Sequence, residues 1–358
     1  MVLGSRGYLM KITNIRACQP PCNSPADWRT SLGQILVAID TDAGITGYGV
    51  GGGGAAGIHI VRTVLSDLLV GRVPEPVESI WDDMYQATLP FGRKGVAMMA
   101  LSGVDLALWD LRGKVAGKSV AQLLGGPIHA VMPTYTTVWD HIPTAQFGRH
   151  RAFKIHLGKM TDAADVGSFV DVMKRARDRV GPDVALMIDA WMKWDVPFTL
   201  RFAERAASLK LDWIEEPLSP DDFAGYAELV QRCPIPIAGG EHEFTAAAFA
   251  ELIERRLHHI VQPDVCWCGG MTELVKIYRT AKAHGVRVCP HRGAEIWGLH
   301  ALATLDPQPL AESGRPWMTW VGGQPAIVDG LIAAPSGPGF GVEIDEAVCG
   351  LAHEKNAE

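Results

Sequence analysis

Three carboxylates recur at a constant interval: Asp189 in "LMIDA", Glu215 in "DWIEEP" and Glu241 in "AGGEHE" follow one another 26 residues apart, each closing a short apolar run. A short apolar run bounded by turn residues reads as a buried strand, and 26 residues is close to one strand-loop-helix unit of a barrel. Three successive strands then end in an acid at one mouth. Buried anions side by side repel and lose hydration, so they call for a shared cation. Carboxylate oxygens suit a hard divalent ion such as Mg²⁺. In "WIEEP" the spacing leaves Glu215 and Glu216 as alternatives, because adjacent strand residues point to opposite faces.

The next two repeats supply Asp264 in "QPDV" and His291 in "CPH", 27 residues apart. A carboxylate on one strand can accept a hydrogen bond from an imidazole on the next, fixing its tautomer and raising its basicity. That makes His291 a candidate general base. Earlier, "FKIHLG" carries Lys154 and His156 two residues apart, on one strand face. Lys154 reads as an electrostatic clamp on a substrate carboxylate or on His156. His156 reads as a polar substrate contact or auxiliary acid/base. The turn-rich segment 17–30 holds Trp28 and Arg29, candidates for substrate contact in a lid, and 49–59 is a pliable Gly-rich stretch.

These groups need elements to hold them. Residues 11–16 and 34–41 read as strands, "TDAGITGYG" as a hairpin, and 58–117 as amphipathic helices, which is the pattern of an α+β cap over 10–126. Over 127–325 the rhythm changes to apolar strand, polar loop and helix, the α/β barrel signature, with strand ends expected near Thr136, His156, Asp189, Glu215, Gly239, Gln262, Cys289 and Ala311. The tail 326–358 is rich in turn residues and is expected to pack back on the cap.

Bulk properties narrow the partners. The 358-residue chain, 47% hydrophobic, accommodates a barrel and one modest companion domain. A net charge of −7 offers no broad basic field, which argues against nucleic acid as the main partner and for small-molecule chemistry. Seven scattered cysteines, an odd number outside zinc spacing, fit a reducing cytoplasm. No run is long and apolar enough for a membrane span, and the opening residues lack a signal-peptide core. The residues ahead of Met10 read as an extension.

Taken together, "ALSGVDLALWDLRGKVAGKSVAQLLGG", "WIEEP", "GGEH", "QPDVCWCGGMTE" and "CPHRGAEIWGLHA" resemble the enolase superfamily in its mandelate racemase subgroup. Within it, the chain is most similar to acid-sugar dehydratases of the L-rhamnonate dehydratase type. The resemblance spans roughly residues 10–350. It implies a modified (β/α)₇β TIM barrel, an α/β fold, beneath an N-terminal α+β cap. It implies Mg²⁺ held by Asp189, Glu215 and Glu241, so that Glu215 is the inward member of its pair and Glu216 points outward or into a salt bridge. The Asp264-His291 dyad matches the subgroup's base. Glu312 matches an acid with a raised pKa that donates a hydrogen bond to the substrate carboxylate, and His242 matches a substrate contact. The implied activity is dehydration of a sugar acid in a homo-oligomeric enzyme. His156 stands where racemases of the subgroup carry a second lysine, which weighs against the rival reading of a racemase or epimerase. A non-catalytic binding protein would be expected to have lost part of this polar set.

Overall fold

The computed structural model describes residues 9–21, 33–157, 165–293, 295–313, 320–349 and 351. The chain opens with an antiparallel sheet, β1 (Ile12–Cys18), β2 (Ile35–Thr41) and β3 (Thr46–Gly51), paired in that order. Helices α1 (Gly54–Ile60), α2 (Val77–Gly92) and α3 (Val96–Ala116) follow, then the short α4 (Val120–Leu123). The alternate glycines of β3 explain how the sheet and α3 meet. A Cβ at Gly47, Gly49 or Gly51 would stand 2.2–2.3 Å from the backbone oxygens of Ala107, Gly103 and Met99. Only bare backbone lets the strand lie directly on the helix.

Eight parallel strands make the barrel: β4 (Met132–Trp139), β5 (Ala152–His156), β6 (Ala185–Asp189), β7 (Ile214–Glu215), β8 (Ile237–Gly239), β9 (Ile260–Val261), β10 (Arg287–Val288) and β11 (Ala311–Glu312). Each pairs with its predecessor from β5 to β10, and β11 returns to pair with β4. Between them run α5 (Val166–Val180), α6 (Val196–Ala206), α7 (Phe223–Arg232), α8 (Thr245–Glu254), α9 (Gly270–His284) and α10 (Ile296–Leu305). After β4 the crossover contains only a 3₁₀ turn, Thr144–Gln146, among the described residues. Asp165, Asp195 and Asp222 cap α5, α6 and α7 by accepting the backbone N–H of Ser168, Phe198 and Gly225. These are the side-chain caps that first-turn amides require.

Alternation along the strands sorts side chains into layers. Tyr135, Ala152, Met187, Trp213, Ala238, Ile260 and Cys289 form one buried cluster inside the barrel, with Tyr135 edge-on to Trp213 at 5.8 Å. That apolar plug is a floor. Above it the register aligns Trp139, His156, Asp189 and Glu215 as neighbours across β4 to β7.

The cap is clamped onto the loop and first turn that lead into α9. Asp105 on α3 accepts the Thr272 hydroxyl at 2.6 Å and its N–H at 3.0 Å, Trp109 Nε1 donates to Thr272 Oγ1 at 2.9 Å, and Trp81 Nε1 donates to the Gly269 carbonyl at 2.7 Å. The tail divides between the two layers. Leu331–Ile332 pairs with the start of β4, while Phe340 N–H donates to Asp110, and Glu346 meets Arg16 at 2.7 Å and the Tyr48 hydroxyl at 2.8 Å. No helix among the described residues is long and apolar enough to cross a membrane.

Candidate active site

Strand ends deliver the acids. Asp189 closes β6, Glu215 closes β7, and Glu241 follows β8 after a left-handed Gly240 (φ +118) that turns the chain back over the mouth. All three are buried, as are Lys154 and Glu312. Lys154, two residues before the end of β5, reaches upward between them. Its Nζ donates to Glu215 Oε1 and lies 3.1 Å from Glu312 Oε1 and 3.6 Å from Asp189 Oδ2. Burial alone would drive Lys154 toward its neutral form, but Glu215, Glu312 and Asp189 outweigh it and raise the ammonium well above its ordinary range. Glu215 also accepts Trp213 Nε1 at 3.0 Å and Gln262 Nε2 at 2.7 Å. Burial, and then Glu215 beside it, push the Asp189 carboxyl well above the usual range.

These residues fit a divalent cation. Ligand atoms of Glu215, Glu241 and His291 lie within 4.8 Å of one another, and Asp189 stands in the same row as Glu215. A mostly oxygen donor set, with one buried carboxyl under strain from its neighbours, matches Mg²⁺ more closely than a soft metal.

Two expectations about the acid–base groups are corrected. Asp264 does not hold the His291 ring; His291 Nδ1 lies 2.7 Å from Glu241 Oε2 and 3.3 Å from Glu312 Oε2. Asp264 instead accepts the Cys266 N–H at 2.8 Å and lies 3.8 Å from Arg292 Nη1. The reason is position: Asp264 lies past the end of β9 and its turn folds one oxygen back on its own backbone. Glu312 also departs from its expected setting, since its carboxyl is held low and not raised. Burial favours its neutral form, yet Lys154 and then His291 prevail and hold it well below the usual range, with the Thr137 hydroxyl and the Arg292 N–H as further donors. Glu312 therefore accepts hydrogen bonds here.

Neither ring nitrogen of His291 has a hydrogen-bond partner among the described residues; Nδ1 lies in ion-pair range of Glu241 and Glu312, and Nε2 is the nitrogen without a charged neighbour at that range. Burial lowers its pKa, but Glu241 raises it further, so the ring sits well above its ordinary value. His156 behaves oppositely: burial and then Lys154 bring it down to about 4, so it is neutral near pH 7. Its Nε2 is 4.0 Å from Asp189 Oδ2 and its ring stacks on Trp139 at a centroid distance of 4.0 Å. His242 gives Nδ1 to Glu216 Oε2 at 2.8 Å, which leaves only its Nε2 edge, 3.7 Å from Glu241, facing the site. Glu216 thus takes the salt-bridge alternative. Cys266 and Cys268 are buried thiols raised well above their ordinary pKa by burial, suited to packing. Trp28 and Arg29 lie outside the described residues.

Several contributors escape a reading of motifs. Gln262 follows β9 directly, at the position expected to end that strand, and its side chain reaches Glu215. Thr137 and Trp139 escape it because β4 runs past the expected end at Thr136 to Trp139. Arg292, at φ +53 beside His291, stacks over Trp267 at 5.7 Å and brings a guanidinium to the mouth. The arrangement can bind an anionic substrate at a shared cation, exchange a proton at His291 Nε2, and place a neutral imidazole at His156.

The domain family described as mandelate racemase / muconate lactonizing enzyme, N-terminal domain, matches residues 13–125, and the family described as enolase C-terminal domain-like matches 144–348. The chain is 38% identical over 330 residues to an L-rhamnonate dehydratase of Saccharopolyspora erythraea, covering 88% of this chain and 84% of the relative. Among solved structures, a racemase from Streptomyces coelicolor A3(2) with bound magnesium superposes with a TM-score of 0.86 at 32% identity, covering 95% of this chain and 99% of that one. Rhamnonate dehydratase from Gibberella zeae complexed with Mg superposes with a TM-score of 0.86 at 28% identity, covering 94% and 95%.

Proposed function

The chain belongs to the mandelate racemase / muconate lactonizing enzyme family of the enolase superfamily, and from that premise we propose that it is a Mg²⁺-dependent dehydratase of sugar acids, with an L-rhamnonate-like aldonate as substrate. The observation that carries this reading is the buried set Asp189, Glu215 and Glu241 with Lys154 on the strand before it and His291 on a strand beyond it. Asp189, Glu215 and Glu241 would hold the ion, which when bound supplies Lewis-acid stabilisation of negative charge growing on the substrate carboxylate.

The chain's own groups do the rest. Removing a proton beside a carboxylate creates a second negative charge, and Lys154 is the buried cation placed to meet it. His291 in its neutral form takes the C2 proton at Nε2, and the freed electron pair moves into the C1–C2 bond of an enediolate. This use of a Lys or His base with Mg²⁺ and an enediolate is a general pattern of the superfamily. The pair then forms C2=C3 as the C3–O bond breaks, and the proton on His291 goes to the departing hydroxide to release water. Glu241 and Glu312, which favour the charged ring, support His291 in its proton-carrying state. The resulting enol tautomerises to a 2-keto-3-deoxy acid.

The test is incubation of aldonic and aldaric acids with Mg²⁺ and assay for 2-keto acid. His291→Asn should lower turnover by roughly 10²–10⁴-fold, and absence of keto acid across the whole panel would defeat the reading. Although a histidine replaces the second lysine, His156 keeps a second reading, racemisation, in view, because it closes β5 beside Asp189 while His291 follows β10 at the far end of the strand order. Deuterium entering C2 from solvent without keto acid would select it.

A further inference from the structure

The two oxygens of Glu215 are placed unequally. Oε1 takes the Lys154 ammonium, whereas Oε2 accepts two neutral donors at once, Trp213 Nε1 at 3.0 Å and Gln262 Nε2 at 2.7 Å. Both donors are buried, 0% exposed for Trp213 and 1% for Gln262. They come from different parts of the barrel. Trp213 immediately precedes β7, and its ring is wedged in the apolar floor, edge-on to Tyr135 at 5.8 Å and with the Arg287 guanidinium 5.8 Å over it. Gln262 follows β9, two strands along from β7.

Charge sets the sense of the Gln262 amide. Turned over, it would press its own oxygen on a carboxylate, so Nε2 stays on Glu215 although Oε1 is then buried with no hydrogen-bond partner among the described residues. A similar division recurs at the neighbouring acids. Asp189 Oδ1 accepts the Trp191 N–H at 3.0 Å, and Glu241 Oε2 lies 2.7 Å from His291 Nδ1. With one oxygen of each carboxylate engaged by a protein nitrogen in this way, the trio presents an ion with one oxygen apiece. That count separates two hard ions. Mg²⁺ takes a compact octahedron and keeps several waters, while Ca²⁺ takes roughly six to eight oxygens at longer reach and readily uses both oxygens of one carboxylate.

We propose that Trp213 and Gln262 are positioning residues that hold Glu215 to its ion through Oε1 alone, and that this one-oxygen grip selects Mg²⁺ over Ca²⁺. The inference rests on the cation reading above and names the groups behind the ligand. A carboxylate fixed at Oε2 by two buried donors cannot swing to clasp an ion with both oxygens, so the rest of the shell falls to water and to the substrate's own oxygens. Removing either donor frees Oε2 and lets Glu215 turn. That weakens the hold on the small ion, which needs fixed geometry, more than on the larger one, which tolerates irregular shells.

Calorimetric titration of the full chain with Mg²⁺ and, separately, with Ca²⁺ tests this without any substrate. The wild type should bind Mg²⁺ more tightly than Ca²⁺. In Gln262→Met the length of the side chain is kept, and in Trp213→Phe an aromatic ring is kept, while the N–H is lost from each. Each variant should weaken Mg²⁺ binding by roughly 10–100-fold, the usual loss when the group behind a metal ligand is removed, and weaken Ca²⁺ binding less, so that the ratio of the two affinities falls. Melting in EDTA reports damage to the fold separately, and if Trp213→Phe does not fold, Gln262→Met alone decides. Equal losses for both ions, an unchanged Mg²⁺ affinity, or a wild type that prefers Ca²⁺ would overturn the inference while leaving the cation site in place. Binding of neither ion by the wild type would defeat the cation reading and this inference with it.

Discussion

Lys154 is the residue on which the electrostatics of the mouth turn. One ammonium meets three buried carboxylates, and without it Asp189, Glu215 and Glu312 would be left facing one another. Removing one partner from a buried ion pair costs about 3–5 kcal/mol, because the other charge remains buried and uncompensated. Lys154→Met is therefore expected to lower stability in EDTA by about that amount, with part of the loss recovered when Mg²⁺ is added. Urea denaturation with and without the ion checks it; an identical loss in both would place the carboxylates away from the bound ion. Glu312 illustrates the same physics from the other side. The resemblance implies a hydrogen-bond donor, while here Lys154 and His291 hold its carboxyl low and it accepts from the Thr137 hydroxyl and the Arg292 N–H.

At the scale of elements, His300 on α10 stitches three segments together. Its Nδ1 accepts the Ala121 N–H of α4 at 3.2 Å, so the ring proton lies on Nε2, which donates to the Phe340 carbonyl of the tail at 3.1 Å. Protonating Nδ1 would break the first of these bonds inside a fully buried site. Burial accordingly lowers the pKa to about 4, against an ordinary value of 6.5. The unfolded chain then binds the proton more readily, so this contribution is complete above pH 6.5 and is lost as pH falls from there toward 4. Between pH 7 and 5 the wild type should lose about 1–2 kcal/mol through this group, by the usual conversion of about 1.4 kcal/mol per pH unit. His300→Gln should be less stable at pH 7 and show a shallower acid slope. Melting curves at the two pH values measure this, and parallel slopes would count against it.

For the whole molecule, a cation shared by Asp189, Glu215 and Glu241 would tie three consecutive barrel strands together only in the folded state. Binding to the native state alone stabilises by mass action, about 2.7 kcal/mol at one hundred times Kd. The melting temperature should thus climb with Mg²⁺ concentration, fall in EDTA, and lose this dependence in Glu215→Gln; a flat response in the wild type would remove the proposed centre. Why the acids were legible and their partners were not follows from the same architecture. A parallel barrel spends a similar length of chain on each unit, so Asp189 and Glu215, partners in one row, recur at that length, and Glu241 comes to the same mouth three residues past Ala238, the row partner of Glu215. Aspartate caps and the glycines of β3 are local in the same way. Contacts across the lumen have no such signature. Glu312 and Lys154 are distant in sequence and meet because β11 closes on β4, next to β5. His291 turns to Glu241 rather than Asp264 because the reach of a side chain depends on strand register and on what its neighbours already bind. The linear order of residues therefore determined the class of fold, the acids and the kind of ion they suit. Which groups share protons, and that Trp139, Trp191 and Arg292 stand at the mouth, was decided only by closure of the barrel, since Coulomb energy and hydrogen bonding act over ångströms in space and not over positions in the chain.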